Sequence, residues 1–525
     1  MAGYHSGSPA PRIAWIRRAG KVADHEDFFG GGRRISPRAS AFSHKTVRRA
    51  DFAAVNFARD LVDAAAPGRT AMVALAPDGE RREIAFAELA KRSARVAGTL
   101  AAHGVGRGDV VMTVVGNRPE WVEAMVACFR LGAVALPCTE QLRPGDLRVR
   151  MDAVDPRAVV ADERDAEVVR ATGFSGPLLV VPDERHYDAA PAPAAELEPD
   201  DPVLVVFTSG TSGQPKPIRH GQRYLTGQRV QAEHWYGARE GDLCWCTAAS
   251  GWSKSARNVF IAPWLMGAAA LLHDARFDPE ERLEVIERER VRVLCMAPTE
   301  YRAIAKRTEL RALPQLRHAV AAGEPLNAGI VETWHEAAGV EVHDGYGQTE
   351  TGALTGMPIG RPVRPGSMGK PLPGFRLWIE DGELCADPST IPTFFLDGPL
   401  DRPWHTGDRA SEDEDGYLWF EGRTDDVIIS AGYRIGPFEV ESALVSHPAV
   451  AEAAAVAAPD EERGQVVRAV VVLAPDHEPG ADLARELQDH VKQRTAPYKY
   501  PRVVDFADDL PKTASGKIKR AELRG

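Results

Sequence analysis

The residues from Thr208 to Lys216 read Thr-Ser-Gly-Thr-Ser-Gly-Gln-Pro-Lys and follow the apolar run Val203-Leu-Val-Val-Phe207. This run of β-formers predicts a buried strand, so the small-residue segment should leave the sheet as a loop. Four hydroxyl groups, two glycines and a lysine make a set of donors that suits a polyphosphate. A flexible linker is the alternative, but a linker needs neither a buried strand before it nor a lysine between two prolines.

This loop lacks the Gly-x-x-x-x-Gly-Lys-Ser/Thr order of a Walker A loop, which argues against an ATPase or GTPase function. It still suits a nucleoside triphosphate. The candidate phosphate-binding residues are Thr208, Ser209, Gly210, Thr211, Ser212, Gly213 and Lys216.

Helix and strand patterns alternate upstream of the loop. The spacing of apolar residues from Phe86 to Leu100 predicts a helix, and the residues from Asp109 to Val115 are predicted to form a strand. A second helix then runs to Arg130 and is followed by another strand. This alternation predicts a parallel α/β sheet with helices on its faces. Ligands of such sheets bind beyond the carboxyl ends of the strands, where the loop falls.

Bulk composition is that of a globular protein with several domains. The 525 residues are 44% hydrophobic and 26% charged, and no apolar stretch is long enough to span a bilayer. The net charge of -11 argues against general nucleic-acid binding and favours small-molecule chemistry. Six scattered cysteines indicate neither a disulfide framework nor a zinc site, so a reducing cytoplasm is the expected location.

The first 50 residues differ from the rest of the chain. They carry ten Lys/Arg against three Asp/Glu and show no sustained periodicity. We therefore expect a basic, irregular extension there. It lacks the apolar core of a signal peptide.

Two later segments contain candidate binding residues. The segment Gly251-Trp-Ser-Lys-Ser255 precedes an apolar run, so Trp252 is either core or one wall of an apolar substrate pocket. The second segment, Asp344-Gly-Tyr-Gly-Gln-Thr-Glu350, follows a predicted strand. Its aromatic ring, amide, hydroxyl and carboxylate could stack a base, bond a phosphate and hold a magnesium ion.

With these segments in order, the chain resembles the adenylate-forming superfamily, which includes acyl-CoA synthetases, luciferases and peptide-synthetase adenylation domains. The resemblance covers roughly residues 55 to 525. It rests on five motifs, namely Thr208 to Lys216, Tyr346-Gly-Gln-Thr-Glu350, His405-Thr-Gly-Asp408, Gly422-Arg-Thr-Asp-Asp426 and Pro511-Lys-Thr-Ala-Ser-Gly-Lys517.

Three further segments look most like the medium-chain acyl-CoA synthetase branch, which activates medium-chain fatty and aromatic acids. They are Gly251 to Ser255, Gly432-Tyr-Arg-Ile-Gly-Pro437 and Ala496-Pro-Tyr-Lys-Tyr-Pro501. The resemblance implies ATP, Mg²⁺ and coenzyme A as cofactor and co-substrates. An acid attacks ATP to give an acyl-adenylate and pyrophosphate, and the coenzyme A thiol then displaces AMP.

The resemblance also implies roles for individual residues. Catalysis would rest on Lys517, Thr349 and Lys216, and Glu350 would hold magnesium. An exposed lysine near a chain end is ordinarily a surface charge, and the motif around Lys517 reverses that expectation. The remaining ATP-binding residues implied in this way are Gly323, Glu324, Pro325, Asp344, Gly345, Tyr346, Gly347, Gln348, Asp408 and Arg423.

The implied fold is α/β. A large N-terminal domain of parallel sheets layered with helices, with a β-subdomain, spans residues 51–424, and a small mobile α+β lid spans 425–525 with its hinge at Asp425. The region from Phe375 to Trp404 is short for the family, which predicts a trimmed connecting subdomain. The implied coenzyme A residues are Ala431, Gly432, Tyr433, Arg434, Arg463, Tyr498, Lys499 and Tyr500.

The acyl pocket is expected near Trp252, Gln141 and Thr349. Acetate-selective relatives carry tryptophan where this chain has Gly347, so a larger, medium-chain or aromatic acid is predicted. Linear and aromatic acids are not separated, because one methylene changes discrimination by only about 1 to 3 kcal/mol.

Two other functions compete with this prediction. One is transfer of the acyl group to a carrier protein, or a luciferase reaction. The other is a non-catalytic nucleotide-binding protein, which should have lost Lys517, Thr349 or Glu350, all of which are present. A monomer or a homodimer is expected, acting on small molecules.

Overall fold

The computed structural model describes residues 56–208, 215–431, 433–460, 463–475, 477–512 and 518–524, with only the backbone of Arg434 and of the strand Arg33–Arg34. Within these residues the predicted alternation of helix and strand is confirmed. The described strands form two largely parallel sheets, an antiparallel sheet, a small mixed sheet and two strand pairs, and the chain enters the seven-stranded sheet both before and after it forms the six-stranded one.

The first sheet has seven strands, six of them parallel. Its interior strands are buried on both faces, which explains their nearly continuous apolar sequence. In spatial order the strands are Val342–Gly345, His318–Ala322, Val293–Met296, Leu243–Cys246, Ala269–His273, Thr70–Leu75 and the antiparallel Arg81–Ala85.

The second sheet has six strands and contains the predicted strand before the small-residue loop. That strand spans Pro202–Thr208 and pairs antiparallel with Lys216–Gly221, so that Thr208 lies opposite Lys216. Lys216 therefore begins a strand at the end of the loop. The order is Leu178–Val181, Ala158–Asp162, Val110–Val114, Val134–Cys138, Pro202–Thr208 and Lys216–Gly221.

Helices cover both sheets, and a large apolar core lies between the layers. None of the helices among the described residues is both long and apolar enough to cross a membrane. The α-helices of this region are Phe86–Ala102, Pro119–Leu131, Pro144–Val154, Ala166–Arg170, Arg223–Gln231, Ala262–Leu265, Pro279–Arg288, Pro298–Arg307 and Ala328–Ala338. Shorter π-helical turns are Ala58–Asp63, Ala232–Tyr236 and Arg257–Ile261, and Glu184–Tyr187 is a 3₁₀ turn.

The antiparallel sheet forms the β-subdomain. Its strands are Arg33–Arg34, Leu377–Glu380, Glu383–Ala386, Trp404–Glu412 and Leu418–Arg423. Residues 1–50 are expected to be irregular, and the part of them that the structure describes is the two-residue strand Arg33–Arg34, whose backbone pairs with Trp378 and Ile379. An unpaired strand edge accepts such a partner through main-chain hydrogen bonds, whatever the periodicity of the added residues. The proline-rich stretch between the strands forms only a 3₁₀ turn, Pro388–Thr390.

Two small hairpins complete the large domain. Gly347–Gln348 pairs with Gly352–Ala353, and Thr355–Gly356 pairs with Lys370–Pro371.

The C-terminal part has its own apolar core, built from residues between Ile428 and Phe506. Strands and helices are both found there, as expected for an α+β domain. The helix Pro437–Val445 and the strand Tyr433–Ile435 were not predicted. The other elements are Ile428–Ser430, Val450–Asp460, Gly464–Leu473, Ala481–Arg494, Pro497–Lys499, Val503–Phe506 and Arg520–Leu523.

The lid contacts the large domain through two polar side chains. Lys306 Nζ donates hydrogen bonds to the carbonyl oxygens of Val445 at 3.3 Å and Val450 at 2.5 Å. Asn327 Nδ2 donates to the carbonyl and the hydroxyl oxygen of Ser442, at 3.0 and 2.9 Å. Burial lowers the pKa of Lys306 to about 8.

Candidate active site

Asp408 is the centre of the best-defined polar cluster at the predicted nucleotide site. The residue is 6% exposed, and Oδ2 accepts hydrogen bonds from Tyr346 Oη at 2.5 Å and Gln348 Nε2 at 2.8 Å. Oδ1 accepts from Arg423 Nη1 at 3.1 Å. The cluster thus joins three of the five sequence motifs. Both carboxylate oxygens already have protein donors, so a ligand hydroxyl would share this acceptor.

The pKa values of two members of this cluster, Tyr346 and Arg423, are raised. Burial and the adjacent Asp408 carboxylate hold the pKa of Tyr346 well above its usual value, so Tyr346 stays a donor. Burial alone would lower the pKa of Arg423, but the Asp408 charge raises it. Arg423 therefore stays a cation beside the carboxylate.

Two neighbours of the cluster were missed by the sequence analysis. Gln348 is oriented by Trp404 Nε1, which donates to Gln348 Oε1 at 3.0 Å, and by the Thr406 carbonyl, which accepts from Gln348 Nε2 at 2.7 Å. Trp404 and Thr406 flank His405 in the motif that ends at Asp408. Their position within or next to this motif is the sequence feature that could have identified them.

The hairpin after Tyr346 holds Thr349 and Glu350 half-buried beside the cluster. Gly347 lies in this hairpin, where a Cβ would come 2.0 Å from the carbonyl oxygen of Gly352, the residue that pairs with Gln348. A larger residue at position 347 would therefore displace the paired strand, and the effect of Gly347 on the size of the acyl pocket stays a prediction.

The ends of two parallel strands supply the next residues. Asp344 and Gly345 belong to the strand end, whereas a loop was expected. Asp344 accepts hydrogen bonds from the Gly345 and Leu326 backbone N–H groups, and burial raises its pKa to about 8. Directly after the adjacent strand His318–Ala322, Gly323 has φ of +108° and precedes Glu324, which accepts a hydrogen bond from Thr299 Oγ1 at 2.6 Å.

The phosphate loop is described only at its two ends. Thr208 and Lys216 face each other across the strand pair, and Lys216 is exposed. Ser209, Gly210, Thr211, Ser212 and Gly213 lie outside the described residues, as do Lys517 and Gly432.

Trp252 lies at the edge of the main core, half-buried, with Lys254 Nζ 5.7 Å from its ring centre. The preceding Gly251 has φ of +93°, and a Cβ there would come within 2.5 Å of the Thr139 backbone nitrogen. This close approach brings the loop containing Gln141 to the same region. Gln141 itself is exposed.

The predicted coenzyme A residues of the lid form a largely exposed surface. Tyr433 and Tyr498 stack with ring centres 4.3 Å apart, and Lys499 Nζ pairs with Glu439 at 2.5 Å. Ala431 has φ of +49° and donates its N–H to the Arg463 carbonyl. Tyr500 is flanked by Lys492 and Arg502.

Asp425, the predicted hinge, is exposed between the two domains. Its carboxylate lies 3.6 Å from Arg423 Nε, and its carbonyl accepts a hydrogen bond from Arg524. No buried contact among the described residues fixes its side chain.

This fold and this site define an adenylate-forming enzyme. The sequence pattern of the AMP-binding enzyme family matches residues 61–389, and that of the AMP-binding enzyme C-terminal domain matches residues 439–517. The chain belongs to the AMP-binding enzyme family, and within it to the acyl-CoA synthetases of the medium-chain branch.

Individual relatives support the same assignment. The chain is 37% identical over 491 residues to the mitochondrial acyl-coenzyme A synthetase ACSM3 of Mus musculus, covering 85% of each chain. It is 37% identical over 494 residues to the uncharacterized acyl-CoA ligase YtcI of Bacillus subtilis, covering 88% of this chain and 93% of that protein. Among solved structures, the anthranilate CoA ligase AuaEII in complex with anthranoyl-AMP has a TM-score of 0.83 at 28% identity, covering 91% and 98%.

Proposed function

We propose that this enzyme converts a medium-chain or aromatic carboxylic acid to its acyl-CoA through an acyl-adenylate, releasing pyrophosphate and then AMP. The observation that carries the proposal is the Asp408 cluster, which joins Tyr346, Gln348 and Arg423 into one polar site. The names of the mouse relative and of the anthranilate ligase support the thioester product.

In the first half-reaction a carboxylate oxygen of the acid attacks the α-phosphorus of ATP, and pyrophosphate leaves. Two anions must approach each other, so the site has to supply cations and donors where charge accumulates. Lys216 is exposed at the end of the phosphate loop, where it would stabilise the departing pyrophosphate. Thr349 and Lys517 would contact the α-phosphate and the attacking carboxylate.

Magnesium fits the residues present. Glu350 offers a half-buried carboxylate next to Thr349, and Mg²⁺ in nucleotide sites usually binds one or two carboxylates together with substrate phosphates. A bound Mg²⁺ would neutralise phosphate charge. Within the described residues, the grouping of three possible metal ligands is Glu380, Cys385 and His405, none of which belongs to the proposed nucleotide site.

The nucleoside would lie between the strand ends and the Asp408 cluster. Asp408 would accept the ribose hydroxyls, and Tyr346 would stack near the adenine. Gly323, Glu324 and Pro325 would form the opposite edge of the base site.

In the second half-reaction the coenzyme A thiol attacks the acyl carbonyl carbon, and AMP leaves. We assign coenzyme A to the lid surface around Tyr433, Tyr498 and Lys499, whose aromatic and basic groups suit its pantetheine and phosphates. The domain division proposed is 51–424 and 425–525, with rotation at Asp425.

We propose a cytoplasmic location, supported by six cysteines that are all free and buried. We also propose that the enzyme is a monomer or a homodimer.

The test measures pyrophosphate release over a panel of acids, with and without coenzyme A. Lys517→Ala should lower adenylation about 1,000-fold while still converting synthetic acyl-adenylate to thioester. Lys519→Ala is the matched control, because Lys519 pairs on the surface with Glu522. Equal loss of both half-reactions would contradict the role of Lys517, and absence of pyrophosphate release with every acid would contradict the proposed function.

A further inference from the structure

Two buried cations lie behind the proposed acyl site without an anionic partner. Lys254 is 8% exposed and Arg257 is 6% exposed. Lys254 Nζ donates one hydrogen bond, to the Ala322 carbonyl at 2.9 Å, and Arg257 Nε and Nη1 have no hydrogen-bond partner. Across the described ranges, no carboxylate lies within 4.0 Å of the charged nitrogens of either residue.

Burying two unpaired cations in this way lowers the stability of the folded protein when no ligand is bound. Lysine and arginine are almost never fully buried unless they are paired. Removing an unpaired ion from water costs several kcal/mol, even after local relaxation. Two such residues three positions apart therefore indicate a place where a bound molecule supplies the missing negative charge.

Arg257 is surrounded by other polar groups that lack partners. Gln228 is fully buried, and neither its amide oxygen nor its amide nitrogen has a hydrogen-bond partner. The hydroxyl of Tyr224 lies close enough to interact with Gln228 and Arg257, but neither amide atom of Gln228 and neither Nε nor Nη1 of Arg257 makes a hydrogen bond of good geometry. Buried amides are nearly always satisfied in folded proteins, so this group of side chains is built to bond something else.

His220 completes the cluster on the side of the phosphates. Its ring lies 4.1 Å from that of Tyr224, and its Nδ1 has no partner. Burial lowers the pKa of His220 to about 3, and the Arg257 charge acts in the same direction, so the imidazole is neutral. A neutral imidazole does not neutralise the charge of Arg257.

The cluster lies directly beside the reacting end of the proposed site. The ring of His220 faces the backbone of Thr349, the residue expected at the α-phosphate. Lys254 lies under Gly323, where a Cβ would come within 3.3 Å of Nζ. Trp252 is on the same segment as both cations. Lys254 therefore lies at the edge of the proposed adenine site that Gly323 forms, and Arg257 lies three residues further along the chain.

The acid's reacting carboxylate can neutralise only one of these two charges. A hydrocarbon tail would leave the other cation and the Gln228 amide unsatisfied and would bury them further. An acid with an acceptor oxygen on its tail would satisfy them.

Resting on the function proposed above, we propose that Arg257, Gln228 and Tyr224 bind an oxygen group on the tail of the acid, so that the substrates are acids with a second carboxylate or a hydroxyl or oxo group. Arg257 is then a specificity-determining residue. Lys254 takes the end of the molecule nearer the adenylate.

Matched acids test this with the unaltered enzyme. Hexanoate, 6-hydroxyhexanoate and adipate share one chain length, and benzoate, 4-hydroxybenzoate and terephthalate share one ring. We expect at least one oxygenated member of a series to exceed its hydrocarbon counterpart about tenfold or more in kcat/KM for pyrophosphate release. Preference for the diacid would identify an anionic group, and preference for the hydroxy acid a neutral one.

The side-chain assignment is tested by Arg257→Met, which keeps length and removes charge. We expect kcat/KM for the preferred oxygenated acid to fall about 100-fold, while that for the hydrocarbon acid changes less than threefold or rises. Arg282→Met is the matched control, because Arg282 is equally buried but lies near Glu300 and His273. It should affect both acids equally.

Two outcomes would overturn the inference and leave the proposed function intact. One is a preference of the unaltered enzyme for hexanoate or benzoate over every oxygenated analogue. The other is an equal loss for both acid types in a folded Arg257→Met variant. The substrate preference decides the question even if that variant does not fold.

Discussion

The proposed nucleotide site and the proposed coenzyme A site are built in opposite ways. On the large domain the Asp408 carboxylate is 6% exposed and accepts hydrogen bonds from three side chains. On the lid, Tyr433 is 52% exposed and Tyr498 is 41% exposed, and the two rings stack on each other. The first site is organised before its ligand arrives. The second is an open surface that a ligand and the other domain would complete.

The largest effect is expected when the charge of Asp408 is removed. Asp408→Asn replaces one acceptor oxygen by an N–H donor that would face Arg423 or Gln348. Because charge-assisted hydrogen bonds are lost and Arg423 keeps only the exposed Asp425 carboxylate at 3.6 Å, kcat/KM for ATP should fall roughly 1,000-fold.

Asp415→Asn is the control for that variant. Asp415 also pairs with an arginine, Arg364, and lies near the same sheet, but it is exposed. Its replacement should change kcat/KM for ATP less than twofold, since an exposed ion pair contributes little. A similar loss in both variants would mean that Asp408 only supports the fold.

A smaller effect is expected on the open surface. Tyr498→Ala removes the ring that stacks on Tyr433, so the KM for coenzyme A should rise about tenfold. Pyrophosphate release without coenzyme A should stay within twofold of normal. Val503→Ala, another exposed apolar residue of the lid, serves as control. An unchanged KM would place coenzyme A elsewhere.

The smallest effect concerns the contact between the two regions. Lys306→Met keeps the packed stem but removes the donor to the Val445 and Val450 carbonyls. Backbone hydrogen exchange in residues 442–450 should become about threefold faster, because the lid loses one anchoring side chain.

Lys370→Met is the matched control, since Lys370 Nζ also donates to a carbonyl, that of Asp415, within the large domain. It should leave exchange in the lid unchanged. Unaltered exchange in Lys306→Met would show that Asn327 and apolar contacts hold the lid without it.

Much of the fold followed from local sequence. The apolar run before Thr208 predicted a strand that is buried on both faces. The spacing from Phe86 to Leu100 predicted a helix that is buried on one face, because one-sided burial repeats apolar residues at the period of the helix. Arg33–Arg34 could not be predicted in this way, because its pairing depends on the edge that Trp378 and Ile379 present.

The site was only partly predictable for a related reason. Motifs indicated Tyr346, Gln348 and Asp408, and the structure brings these three together. Arg257 and Gln228 gave no signal, because a polar residue in a helical stretch looks solvated until its surroundings are known. Their burial is a property of the whole packed domain.

The anchoring of Lys306 links lid position to proton binding. Docked, its ammonium group has a pKa lowered from 10.5 to about 8. If the lid moves away and water reaches the side chain, the group regains its ordinary affinity for a proton. Between these two pH values, undocking therefore takes up a proton, and raising the pH favours the docked pose. At pH 9 in weak buffer, lid movement during turnover would be visible as a transient alkaline signal from an indicator dye.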